Sequence, residues 1–137
     1  MANLVQRWSG LGPQFLSLLR IVSAKMFITA GTIKLFGFPM PMPPGNNAPV
    51  GSQVWIGAVL ETVGGTLLLL GLFTRPVAFL LAGEMAVAYF QFHAPKGFWP
   101  VVNGGVPAVL YCFIWLLVSA MGPGPWSLDA LRKPRSR

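Results

Sequence analysis

Apolar residues in this chain gather into four long runs, near 14–36, 52–73, 76–92 and 106–121, each bounded by Pro, Gly or both. Runs of this length restrict a fold more than any short motif does. About 20 consecutive apolar residues make a helix that crosses the hydrocarbon core of a bilayer. Inside that core every backbone N–H and C=O must find a partner, and a helix meets this condition within one segment. The four runs therefore predict an all-α chain, an integral membrane four-helix bundle.

Composition supports the same solvent. Only 9% of the 137 residues are charged and 54% are hydrophobic, whereas soluble domains carry about a quarter charged residues. Such a chain cannot coat its own surface with polar groups, so the lipid bilayer is its first partner. The length suits one domain, 1–137, with a basic tail over 122–137.

The breaks between runs are readable residue by residue. Gly12-Pro13 opens the first, and Phe38-Pro39-Met40-Pro41-Met42-Pro43-Pro44 must be loop because Pro cannot sustain a helix. Thr74-Arg75-Pro76 forms a tight turn, with Pro placed early in the next helix. Gly122-Pro123-Gly124-Pro125 ends the fourth run. Ser127 is then positioned to cap a short interfacial helix, with Asp129 near that helix's positive end. The first run is too long for a signal-peptide core and carries charges inside it, so it is read as a retained span.

Basic residues set the orientation. Arg7, Arg75 and the tail fall on one side of a four-span chain, and Lys96 lies in the loops of the other. The positive-inside rule then places both termini in the cytoplasm, in a plasma (bacterial inner) membrane. Trp8 and Trp126 would sit at the inner interface, Trp55 and Trp99 at the outer one. The net charge of +7 does not point to nucleic acid, because Arg132, Lys133, Arg135 and Arg137 crowd the end of the chain beside an apolar span. With one cysteine, Cys112, and one histidine, His93, an internal disulfide, a CxxC pair, a cysteine-ligated cluster and a bis-histidine haem are all excluded within the chain, and no metal site is expected.

Ionisable residues inside the runs are the functional signal. Arg20, Lys25, Lys34, Glu61, Glu84 and His93 lie within or at the edges of the spans. A charge at the bilayer centre costs about 2.5–3.5 kcal/mol on insertion scales, so such groups are expected to face the bundle and pair. From a rise of about 1.5 Å per residue, Arg20 lies roughly 9 Å in and Glu84 roughly 12 Å in, with Lys25 and Glu61 both roughly 16 Å in. Matching heights predict two ion pairs, Arg20 with Glu84 and Lys25 with Glu61. Helical phase complicates the scheme, since Lys25 points roughly 140° away from Arg20. Two roles stay open for these residues: ion pairs that fix helix register, or a polar pocket for a quinone, a proton or another small ligand. Gly57, Gly64, Gly65 and Gly71 are read as close-packing positions.

Several segments in order resemble the DoxX family of small four-helix membrane proteins. They are Leu18-Leu19-Arg20, Gly31-Thr32-Ile33-Lys34-Leu35-Phe36-Gly37, Glu61-Thr62-Val63-Gly64-Gly65 and Leu69-Leu70-Gly71-Leu72-Phe73-Thr74-Arg75. His93-Ala94-Pro95-Lys96-Gly97-Phe98-Trp99, Asn103-Gly104-Gly105 and Gly122-Pro123-Gly124-Pro125-Trp126-Ser127-Leu128-Asp129 complete the set. Where family members often carry an acid directly after the double glycine, this chain has Val106. Lys25 and Glu84 rest on the bilayer argument alone.

The resemblance implies a subunit of a membrane redox, quinone-linked complex. Such a subunit would stabilise a partner or lend a polar intramembrane pocket without being catalytic alone. The partners expected are other membrane subunits or further copies of the chain, and quinone is the one cofactor left open. A small oligomeric transporter using the buried charges and a purely structural accessory subunit are the alternatives.

Overall fold

The computed structural model describes residues 2–46 and 48–132. Lys133, Arg135 and Arg137 of the basic tail lie outside them. The described residues form helices and loops, with no strand among them. Helix α1 (Ala2–Ser9) runs through a short turn into α2 (Gly12–Phe36), and α3 (Gln53–Leu70) and α4 (Thr74–Ala88) follow. One π-helical turn, Tyr89–His93, extends α4 and leads through a 3-10 turn to the short α5 (Pro100–Asn103). Helices α6 (Val106–Met121) and α7 (Leu128–Arg132) complete the chain.

Three helical stretches, Asn3–Phe36, Gln53–Leu70 and Thr74–Lys96, are long and apolar enough to cross a membrane, and α6 is a shorter apolar helix. The expected second run ends early, at Leu70. There Gly71 takes a left-handed φ of 68°, and the Leu72 N–H returns to the Leu67 carbonyl at 2.9 Å. Gly71 thus closes a helix, and it is also a close-packing position as expected, since a Cβ there would overlap Ser127 and fall 3.2 Å from the Arg20 guanidinium carbon. The same stop ends α2 at Gly37, φ 64°. Ser52 opens α3 by accepting from the Trp55 N–H at 3.2 Å.

Packing follows from small residues. A Cβ on Gly31 would fall 2.7 Å from the Ala58 carbonyl, and one on Gly65 would fall 2.8 Å from Ile28, so α2 and α3 touch along their backbones. Gly64 meets Leu81 of α4 in the same way. The pairs 31 with 58 and 28 with 65 fix α2 and α3 as antiparallel. Arg75 against α6's last carbonyls, and Tyr89 against Gly105, do the same for α4 and α6. These two antiparallel pairs share a core of Ala24, Phe27, Leu68, Leu81, Met85, Trp115 and Val118. Phe27 meets Trp115 edge-on at 5.5 Å.

The outer surface is apolar too: Val22, Met26, Ile56, Val63, Phe79, Leu80, Phe90 and Phe113 are all exposed. Water would oppose such a belt, and lipid accepts it. The tryptophans read as interfacial do lie at the two ends, Trp8 and Trp126 at one, Trp55 and Trp99 at the other.

Candidate functional site

Two polar clusters form, one at each end of the helices. At the first, Arg20 is fully buried. Its Nε donates to the Pro123 carbonyl at 2.9 Å, Nη1 to Leu68 and Leu69 carbonyls at 2.6 and 2.8 Å, and Nη2 to the Trp126 carbonyl at 2.5 Å. Leu68 and Leu69 belong to the last turn of α3, whose carbonyls have no partner within the helix. One guanidinium therefore seals the end of α3 and ties it to the chain beyond α6. Ser17 adds a strut, donating to the Pro123 carbonyl at 3.3 Å and accepting from the Trp126 N–H at 3.2 Å.

Ser127 caps α7 as its position predicts, accepting from the Ala130 N–H at 3.1 Å. Asp129 does more than favour its own helix. Its carboxylate accepts the Phe73 N–H at 3.0 Å and the Thr74 N–H at 2.9 Å, capping α4 from a distant part of the chain. Burial pushes its pKa upward, but these hydrogen bonds and the Arg132 charge prevail and hold it below the usual carboxylate value.

Neither expected ion pair forms. Helix α2 begins beyond the end of α3, and Arg20 stands level with the close of α3. Heights counted from the start of the first run were too deep. Arg20 consequently meets carbonyls, and Glu84 lies toward the far end opposite Gly57, where a Cβ would be 3.1 Å from Oε1. Lys25 is exposed on the outside of α2. It stands five residues past Arg20, roughly 7.5 Å of helix rise, and its side chain leans back toward the helix N-terminus. Its four-carbon stem can carry the ammonium to the nearby interface.

The second cluster collects the other four residues. Lys34 Nζ donates to both Glu61 oxygens, at 2.8 and 2.9 Å, with Glu61 buried and Lys34 partly open. Glu84 faces the same space, and its buried Oε2 has no hydrogen-bond partner among the described residues. His93 comes from the π-helical turn. Together with Gln53, Val54, Gly57, Ala88 and Phe92 these residues line a cavity of about 370 Å³ between α2, α3 and α4. A neighbouring groove of about 520 Å³ shares Gln53, Gly57 and Glu84 with it and runs out over Ile56, Leu60, Phe79, Leu80 and Val87.

The valences of the cavity define its chemistry. Lys34 has three N–H donors and spends two on Glu61, leaving one for a ligand. His93 Nδ1 lies 3.1 Å from the Asn103 carbonyl. A carbonyl only accepts, so Nδ1 carries the hydrogen, and Nε2 is the ring nitrogen left to face a ligand. Glu84 accepts when ionised and donates when protonated. The walls therefore present a cationic donor, a carboxyl group without a partner among the described residues and an imidazole, with the amides of Asn46 and Gln53 and the apolar Val54, Ala88 and Phe92 around them. Among the described residues, no three His, Cys, Asp or Glu side chains converge to hold a metal ion.

Sequence reading missed Asn103. It is buried, donates to the Gly97 carbonyl at 2.9 Å and the Tyr89 hydroxyl at 3.3 Å, and accepts the Gly105 N–H at 2.8 Å. It knots the loop that holds His93. Its partners Tyr89 and His93 lie 14 and 10 residues earlier in the chain, so no local pattern marks it. Gln53 and Gln91, whose side chains hydrogen-bond to each other at the rim, were also missed.

The DoxX family model matches residues 15–94. An uncharacterized protein of Haemophilus influenzae is 48% identical over 120 residues, covering 85% of this chain and 90% of that protein. An uncharacterized membrane protein of Mycobacterium tuberculosis is 32% identical over 135 residues, covering 86% of this chain and 81% of that protein. No solved structure matches the chain.

Proposed function

Because the chain belongs to the DoxX family of membrane proteins, we propose that it is a four-span subunit of a membrane redox assembly, binding a quinone headgroup in the Lys34 cavity. In this reading both termini are cytoplasmic, as the loop charges favour, and the cavity opens in the outer half of the bilayer. One observation carries it: Lys34, Glu61, Glu84 and His93, from separate stretches of chain, line a single cavity of about 370 Å³. A volume of a few hundred Å³ with few polar groups in apolar walls is what small-molecule sites offer.

The chemistry suits a quinone better than an ion. Quinone carbonyls accept hydrogen bonds, and the remaining Lys34 N–H supplies one. Glu84 and His93 are positioned to give or take the protons that accompany quinone reduction and quinol oxidation. The apolar groove that shares Glu84 and Gly57 leads outward, as an isoprenoid tail requires. The electrons come from a partner subunit, since one cysteine and one histidine give this chain no ligand set for a haem pair or cluster.

The test is organic extraction of protein purified in mild detergent. Wild type should carry quinone near one per chain, and Lys34→Met and Glu61→Gln should each reduce the occupancy about ten-fold, the loss of one charge-assisted contact. Absence of quinone from wild type, or occupancy unaffected by both substitutions, would refute the proposal.

A further inference from the structure

At the end remote from the Lys34 cavity, a larger cavity of about 650 Å³ opens between the first turns of α2, the last turns of α6 and the C-terminal segment. Its walls are almost wholly apolar, with Leu16 and Leu19 from α2 facing Leu117 and Met121 from α6. Among the described residues that line it, Arg75 is the one charged side chain.

Arg75 has two edges with different fates. Nη1 donates to the Ser119 carbonyl at 3.2 Å and to the Ala120 carbonyl, and Nη2 reaches the Met121 carbonyl at 3.5 Å. These bonds satisfy the end of α6. A guanidinium carries five N–H groups, so among the described residues Nε–H and a second Nη2–H keep no acceptor. Gly122 lies over the face of this guanidinium, where a Cβ would sit 3.2 Å from Nη2, 3.4 Å from Cζ and 3.5 Å from Nε. The Nε–Nη2 edge is the one suited to bidentate binding of an anion.

We propose that this cavity binds an anionic phospholipid, with its phosphate on the Nε–Nη2 edge of Arg75 and an acyl chain along Leu16, Leu19 and Leu117. Charge complementarity selects this occupant. Arg7, Arg20, Arg75 and Arg132 stand at this end against Asp129, and Asp129 is engaged by the α4 N-terminus while Arg20 is engaged by carbonyls. A free phosphate would leave the apolar walls uncovered. A second copy, itself at +7, would bring like charge. A zwitterionic lipid would set its ammonium among the arginines.

The test uses the full chain in detergent, titrated with phosphatidylglycerol or phosphatidylcholine and read by native mass spectrometry and thermal unfolding. Wild type should retain phosphatidylglycerol about ten-fold over phosphatidylcholine, and its Tm should rise with the anionic lipid alone. Arg75→Gln removes the anion contact. Leu117→Trp fills the groove while keeping Arg75, so it serves if Arg75→Gln does not fold. Either variant should bring the preference to about one-fold, no discrimination. Equal retention of both lipids by wild type overturns the proposal, as does a preference that survives Leu117→Trp. Glycerol phosphate alone reproducing the Tm rise overturns it too, since the acyl groove would then play no part.

Discussion

Arg20 and Lys34 sit on the same helix, on the same inward face, and do opposite things. Four of the five Arg20 N–H groups donate to main-chain carbonyls, and the side chain has no exposed surface. Among the described residues, Lys34 reaches one buried carboxylate, keeps a donor free and stays 30% exposed beside a second carboxyl group without a partner. A charge within an apolar span is a functional signal by default, and this contrast divides the default into two cases. Where the valences are filled, the charge fastens helix ends. Where some are left over and open on a cavity, the charge has something to offer a ligand.

The largest effect should come from the sealed end. Arg20→Met removes four hydrogen bonds to carbonyls, leaving those of Leu69 and Trp126 without the donor that served them, and unfolding in detergent should show a loss on the order of 3–5 kcal/mol. The folded fraction should still bind quinone. If Arg20→Met spares stability and removes binding, the two ends have been assigned the wrong way round.

Glu61→Gln should invert that pattern. It keeps the shape of the side chain, weakens the hold on Lys34 and should cost about 1–3 kcal/mol, while quinone occupancy falls about ten-fold. The comparison sharpens if binding falls by a larger factor than stability.

Asp129→Asn should be smaller, about 1 kcal/mol, the usual worth of a helix cap. Its signature is pH dependence. A carboxylate whose folded pKa is depressed stabilises above its unfolded value, about 3.9, and that stability drains away as pH falls through the lower folded value. Wild-type Tm should drop in this acid range, and Asp129→Asn should flatten that part of the curve.

Lys25→Leu should be the smallest, within about 0.5 kcal/mol, because the ammonium faces outward and meets no carboxylate. A large loss would mean that Lys25 has a partner inside the bundle after all.

Much of this arrangement was legible in sequence. Gly-Pro punctuation located the helices to within a few residues, and Ser127 announced its cap. Lys34, Glu61, Glu84 and His93 were nominated from their burial in apolar runs and do share one cavity. The partners were not legible. Ion pairs depend on the stagger of neighbouring helices, and nothing in the first run reveals that it begins beyond the end of α3. Asp129 as the cap of α4, and Asn103 as the knot beneath His93, join segments remote in the chain or hidden in loops. Such contacts come from tertiary packing, which no local pattern encodes.

The central claim is that the Lys34 site is open to a ligand, whereas the buried surroundings of the Arg20 side chain are closed. Single-cysteine variants in a Cys112→Ser background test it directly, with Ala88→Cys in the cavity wall and Ala24→Cys one turn beyond Arg20 in the core. N-ethylmaleimide should label position 88 and not position 24, and a short-chain quinone should slow the labelling at 88. Equal labelling at both positions, or a rate at 88 indifferent to quinone, would contradict it.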